Sequence, residues 1–143
     1  MFRASSTWYR ISIKALIFNK KWKVLLCKEN TNIWDLPWGW LNHEETPEDC
    51  LRRELQEEMW IEIKWIAKIP KYFVKSPNPT SKRKPRLANI CYEIKVKNLK
   101  FIPSNECTEI WFFDSSEITE LNTLSTIKEL AKEMKKDDLQ SKS

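Results

Sequence analysis

Glycine is almost absent from this chain: its 143 residues include one, Gly39, where average usage would place about ten. A domain with many turns therefore lacks the residue that enters left-handed backbone without steric cost. Histidine is as scarce, with His43 alone, which leaves little material for zinc sites or histidine-based nucleophilic relays. The four cysteines, Cys27, Cys50, Cys91 and Cys107, form no CxxC pair and read as free, mostly buried thiols rather than two disulfides. Long apolar runs are missing too. They stop at lengths such as Ala15-Leu16-Ile17-Phe18, so no transmembrane span is expected. Met1 to Thr7 lacks the apolar centre of a secretion signal, and a cytoplasmic protein is expected.

What is present describes a globular domain. The hydrophobic fraction is 41% and the charged fraction 31%, and the length suits one domain over residues 1–143, with a core over about 8–135. The net charge of +5 is spread along the chain, and only Ser81-Lys82-Arg83-Lys84-Pro85-Arg86 is a dense basic run. A solvated loop is the favoured reading of that run and nucleic acid a disfavoured partner; a third reading has these cations holding a polyphosphate. Tryptophan is the abundant residue, at eight copies.

Tyr9 to Phe18 alternates and is rich in isoleucine, which predicts a strand, followed by a turn at Asn19 to Trp22 and a second strand over Lys23 to Lys28. Trp34 to Pro37 reads as a short extended segment. Thr46-Pro47-Glu48-Asp49 predicts a helix start, with Thr46 as N-cap and Pro47 at the first helical position. Cys50, Leu51, Leu55 and Met59 give this helix its buried stripe, and it should stop near Met59. Ile61 to Ile69 reads as a strand, Pro70 to Arg86 as a long irregular loop, Leu87 to Val96 and Glu109 to Phe113 as strands, and about Leu121 to Lys135 as a helix. This order predicts an α+β fold with a mixed sheet, not regular βα alternation. Trp34 and Trp111 are expected to pack in the core; Tyr72 and Phe73 divide between a core role and stacking on a nucleobase.

The predicted helix carries Glu54, Glu57 and Glu58 at spacings of three and four, on adjoining parts of one face. Three carboxylates crowded together repel unless a cation sits among them, and hard oxygen ligands suit Mg²⁺ or Mn²⁺, which commonly accompany phosphate substrates. A solvated acidic face is the ordinary explanation of such a run. The surrounding pattern argues against it. Gly39, Glu45, Arg53-Glu54-Leu55, Glu57-Glu58 and Ile61 stand in the order and spacing of the Nudix box, which this 23-residue stretch resembles with Trp60 in place of a glycine, preceded by a similar lead-in, Trp34-Asp35-Leu36-Pro37.

The resemblance implies a Nudix-type α/β/α sandwich and Mg²⁺- or Mn²⁺-dependent hydrolysis of a nucleoside diphosphate linked to another moiety. It implies that Glu54, Glu57 and Glu58 bind the metal, with the Gly39 carbonyl completing the site, and that Arg53 pairs with Glu45 to fix the loop–helix–loop. Glu54 or Glu57, with Arg53 beside them, are the candidate catalytic residues inside the box. Glu106 and Glu109 are candidate bases outside it, although ordinary surface acids are the simpler reading of both. A homodimer is a common state among similar proteins. A prenyl diphosphate isomerase on the same fold is disfavoured, because it needs further histidine and cysteine ligands.

The tryptophans disturb this picture. Trp22, Trp38, Trp40 and Trp60 stand where turn or cap glycines are expected. If they are real, the alternative is a catalytically inactive Nudix-fold module that binds nucleotide or protein. The favoured expectation is that they are glycines, from a gene that reads UGA as glycine translated with a table that reads UGA as tryptophan. Trp34 and Trp111 should then be encoded by UGG.

Overall fold

A computed structural model describes residues 8–76 and 86–141. The chain order is β1 (Tyr9–Leu16), β2 (Val24–Lys28), β3 (Trp34–Asp35), β4 (Trp38–Trp40), α1 (Pro47–Met59), β5 (Ile63–Ile66), β6 (Tyr72–Lys75), β7 (Arg86–Val96), β8 (Glu109–Phe113), α2 (Ser115–Thr119) and α3 (Ser125–Ser141). One sheet runs β4-β1-β7-β5, with β6 also paired to β7; a second runs β3-β2-β8. Among the described residues, β1 and β7 are parallel and the other strand pairs are antiparallel, so the expected mixed sheet is present.

Alternation along the strands sends side chains into two cores. Ile13, Ala15, Leu25 and Cys27 pack with Cys50, Leu51, Leu55 and Met59 of α1. Leu16, Val24, Leu26, Val74 and Cys91 pack with Ile118 of α2 and Ile127, Leu130, Ala131 and Met134 of α3. Helices thus cover the strands from two sides, the α/β/α layering expected. All four cysteines are free and buried.

A buried ion pair joins the two sheets. Lys14 Nζ of β1 donates to both carboxylate oxygens of Asp35 in β3, at 3.0 and 3.2 Å. Asp35 also accepts from the Leu36 N–H at 2.7 Å, which anchors the entry to β4. Burial outweighs the ammonium, so the Asp35 pKa lies above its ordinary value. Either charge left alone at this depth would be far costlier than the pair.

Several expectations need correction. Pro70 to Arg86 is not loop throughout: Tyr72–Lys75 pairs with β7, while Pro77, Pro79, Pro85 and all of the basic run except Arg86 lie outside the described residues. Trp38–Trp40 is a strand, drawn into the sheet by antiparallel pairing with Ser12 to Lys14. The strand after α1 is shorter than expected, and the C-terminal helix begins four residues later and ends six later. Trp34 packs edge-to-face on Phe113, with centroids 5.0 Å apart, against the second core. Trp111 does not enter the core and is 62% exposed, because β8 is the edge of its sheet. Tyr72 is half-buried and donates to the Asp137 carboxylate of α3, and Phe73 is exposed. None of the described helices is long and apolar enough to cross a membrane.

Candidate active site

The site is built around the first turn and the far end of α1. Thr46 Oγ1 accepts from the Asp49 N–H, and the Asp49 carboxylate accepts from the Thr46 N–H. This reciprocal cap, with Pro47 behind it, starts the helix at a fixed residue and so fixes which residues share a face. The buried stripe Cys50, Leu51, Leu55 and Met59 then turns Glu54 and Glu58, one turn apart, toward β4 and the 101–107 segment.

Glu54 stands directly behind Gly39. A Cβ on Gly39 would lie 2.2 Å from Glu54 Cγ and 3.1 Å from Cys50 Sγ, so no larger residue fits without displacing the carboxylate. This is the chain's one glycine, and close approach, not a left-handed backbone, requires it.

Arg53 ties the pieces together. Its guanidinium makes two hydrogen bonds to Glu45, at 2.7 and 3.2 Å, and a third to the Glu54 carboxylate. It reaches the Trp40 carbonyl at 3.5 Å and lies 3.7 Å from Glu57. Paired with carboxylates in this fork, the guanidinium is held above its ordinary pKa, chiefly by Glu45. Glu45 is held below the usual carboxylate range by the same bonds and by the Asn42 N–H. The loop before α1, strand β4 and Glu54 are therefore clamped by one side chain.

The 101–107 segment is pinned to the end of α1. Ser104 Oγ donates to the Glu58 carbonyl at 2.8 Å and the Ile102 N–H donates to the Met59 carbonyl at 3.0 Å. Glu106 is thereby brought to Glu58. Glu54, Glu58, Glu106, Glu29 and β4 at Gly39 line one cavity of about 380 Å³. Burial, then hydrogen bonding to Glu54 and Glu106, then their negative charge, push the Glu58 carboxyl up to about 10.

The sequence-predicted acids thus separate. Glu54, Glu58 and Glu106 converge with Gly39; Glu57 is largely exposed beside Arg53, outside the cavity wall, and Glu109 pairs with Lys28 at 3.6 Å at the start of β8. Glu29, in the β2–β3 turn, was missed. Its pKa is raised, mainly by burial and then by Asp35. A lone glutamate in a hairpin turn carries no sequence signal.

Among the described residues, no three acidic, histidine or cysteine side chains are already drawn into a cation-holding group. The donor chemistry nevertheless fits a hard divalent ion: carboxylates from α1 and the 101–107 segment share one wall, and burial beside Glu54 and Glu106 raises the pKa of Glu58.

This has a measurable consequence. The folded protein keeps a proton on Glu58 that the unfolded chain gives up near pH 4.5. The Glu58 contribution to metal-free stability is therefore complete below about 4.5 and declines as pH rises toward about 10. Denaturation midpoints across that window should fall in Glu58 chains relative to Glu58→Gln. Added Mg²⁺ should bind with proton release and reduce the fall, as read by calorimetry in buffers of different ionisation enthalpy. A pH dependence identical in both chains would remove Glu58 as the proton holder.

Comparison with known proteins agrees with this architecture. A sequence model of the NUDIX domain matches residues 8–137. The RNA pyrophosphohydrolase of Pseudomonas putida is 38% identical over 55 residues, covering 38% of this chain and 35% of that protein. The match thus spans about a third of the length of such curated relatives. The MutT protein of Methanosarcina mazei superposes with a TM-score of 0.76 at 20% identity, covering 94% of this chain and 99% of that one. An ADP-ribose pyrophosphatase from Streptococcus suis gives 0.62 at 23% identity, covering 94% and 92%. The fold, the box from Gly39 to Ile61 and the extent of the domain match lead to one conclusion: this chain belongs to the Nudix hydrolase family.

Proposed function

We propose that the protein hydrolyses the phosphoanhydride of a nucleoside diphosphate linked to another group, using Mg²⁺ or Mn²⁺. The observation that carries this reading is the meeting of Glu54, Glu58 and Glu106 with Gly39 on one cavity, in a family of hydrolases. Glu54 and Glu58 would hold the cation, joined by the Gly39 carbonyl and Glu106; Glu57, from its exposed position, would join after a change of rotamer. When bound, the ion supplies charge neutralisation on the phosphoryl oxygens and a lowered pKa for a bound water.

The chain's own groups do the remaining work. Arg53 holds Glu54 in its rotamer and fixes the loop through Glu45. A carboxylate facing the cavity receives the proton of the attacking water, and Glu106 is the candidate outside the box that the geometry favours over Glu109. Water attacks one phosphorus, the bridging P–O bond breaks, and the proton ends on that carboxylate before release to solvent. A homodimer and a cytoplasmic setting belong to the same reading.

The test is a panel of nucleoside triphosphates, ADP-ribose, dinucleoside polyphosphates, nucleotide sugars and 5′-triphosphorylated RNA, assayed for Mg²⁺-dependent phosphate or nucleotide release. Turnover that chelation abolishes is the expected result. Nucleotide binding with no hydrolysis of any member would sink the enzymatic reading and support the binding module.

A further inference from the structure

Three described residues other than glycine have positive φ: Trp22 at 60°, Asn32 at 64° and Trp60 at 57°. Asparagine is a residue that tolerates this region; a bulky indole there is an outlier. Tryptophan is eight of 143 residues, so two of the three falling on it by chance is improbable.

The chain contains its own control. In the β1–β2 turn the Asn19 N–H donates to the Lys23 carbonyl and the Trp22 N–H to the Asn19 carbonyl, both at 3.0 Å. In the β2–β3 turn the Glu29 N–H donates to the Ile33 carbonyl at 2.9 Å and the Asn32 N–H to the Glu29 carbonyl at 3.0 Å. The two hairpins have the same hydrogen-bonding pattern and the same left-handed fourth residue, the place taken by glycine in turns of this kind. One is filled by asparagine and the other by tryptophan.

Trp60 repeats the anomaly at a different kind of position. It caps α1 in left-handed geometry at φ 57°, ψ 32°, its N–H returning to the Gln56 carbonyl at 3.1 Å while the Ile61 N–H returns to Leu55 at 3.2 Å. Glycine is the usual occupant of a left-handed cap. Neither indole is recompensed by burial: Trp22 is 68% exposed, its ring centroid 5.9 Å from that of Phe18, and Trp60 is 60% exposed. Trp38 and Trp40 differ. They lie in β4, in ordinary strand backbone, with Arg10 over the Trp40 ring at 3.8 Å. The backbone gives no reason for glycine at those two positions.

We infer that positions 22 and 60 are glycine in the protein the cell makes, inserted at UGA codons that a different decoding table renders as tryptophan. The inference is independent of any activity and stands if the chain proves not to be a hydrolase.

The decisive measurement is the mass of the peptides spanning residues 22 and 60 in protein purified from its own cells, read beside the gene. Glycine masses over UGA codons are expected. A tryptophan mass or a UGG codon at either position overturns the inference. Recombinant protein gives a second readout: Trp22→Gly and Trp60→Gly should each raise the folding equilibrium constant, by about fivefold to tenfold, whereas Trp34→Gly, which empties a packed strand position, should lower it. A fall in stability for either left-handed position would count against glycine there.

Discussion

Glu54→Gln is expected to lower kcat/KM by about 10³-fold on whichever nucleotide the panel identifies, with the fold and denaturation midpoint little changed. The substitution keeps the size of the side chain and one acceptor oxygen, so the Arg53 contact survives in weakened form. What it removes is negative charge at the cavity wall, where Glu54 sits beside Glu58 and behind Gly39. Steady-state kinetics with Mg²⁺ titrated should show a loss that excess metal only partly restores. A change of less than about tenfold would remove Glu54 from the reaction, since a carboxylate that holds the metal or takes the proton of the attacking water is worth more than that.

Gly39→Ala should produce a comparable loss through a different route. The new methyl would lie 2.2 Å from Glu54 Cγ and 2.9 Å from its Cδ, separations that no packing tolerates. Glu54 must therefore leave its rotamer, or β4 must move away from α1, and overpacking of this kind costs about 1–3 kcal/mol. If ejection of Glu54 is the main response, the two substitutions share one cause. The double variant should then be scarcely worse than Glu54→Gln alone, a non-additivity that a double-mutant cycle reads directly. Additive losses would mean that Gly39 acts by some path other than making room for Glu54.

How much of this could be read from the sequence depended on how local the cause was. α1 was legible at its first residue, Pro47, and in its stop near Met59, because its start is written in Thr46, Pro47 and Asp49 and its face in a four-residue stripe. β8 was legible from its composition. β4 was not, since Trp38-Gly39-Trp40 becomes a strand only by pairing with β1. β6 hid for the same reason beside prolines, although α2 had a usable signal: Asp114 and Glu117 form a reciprocal cap three residues apart.

Within the site, helical spacing could place Glu54, Glu57 and Glu58 on adjoining parts of one face but could not say which edge faced the cavity. The packing of Leu51, Leu55 and Met59 decides that, leaving Glu57 on the outer edge with Arg53. The choice between Glu106 and Glu109 was likewise invisible, because it depends on Ser104 and Ile102 bonding to the end of a helix more than forty residues earlier.

The parallel pairing of β1 with β7 has a consequence for how the chain comes to exist. Tyr9 has no partner until Arg86 has been synthesised, and the register runs on to Leu16 with Glu93. At about 5–20 residues per second, the first strand waits roughly 4–15 s on the ribosome before its central neighbour appears. During that interval the turn that joins β1 to β2, the pairing of β1 with β4, and α1 are among the segments that can shield its apolar residues. The helix that carries the acidic cluster is thus also the early cover for the first strand, so the reciprocal cap at its start guards the nascent chain as well as the finished site.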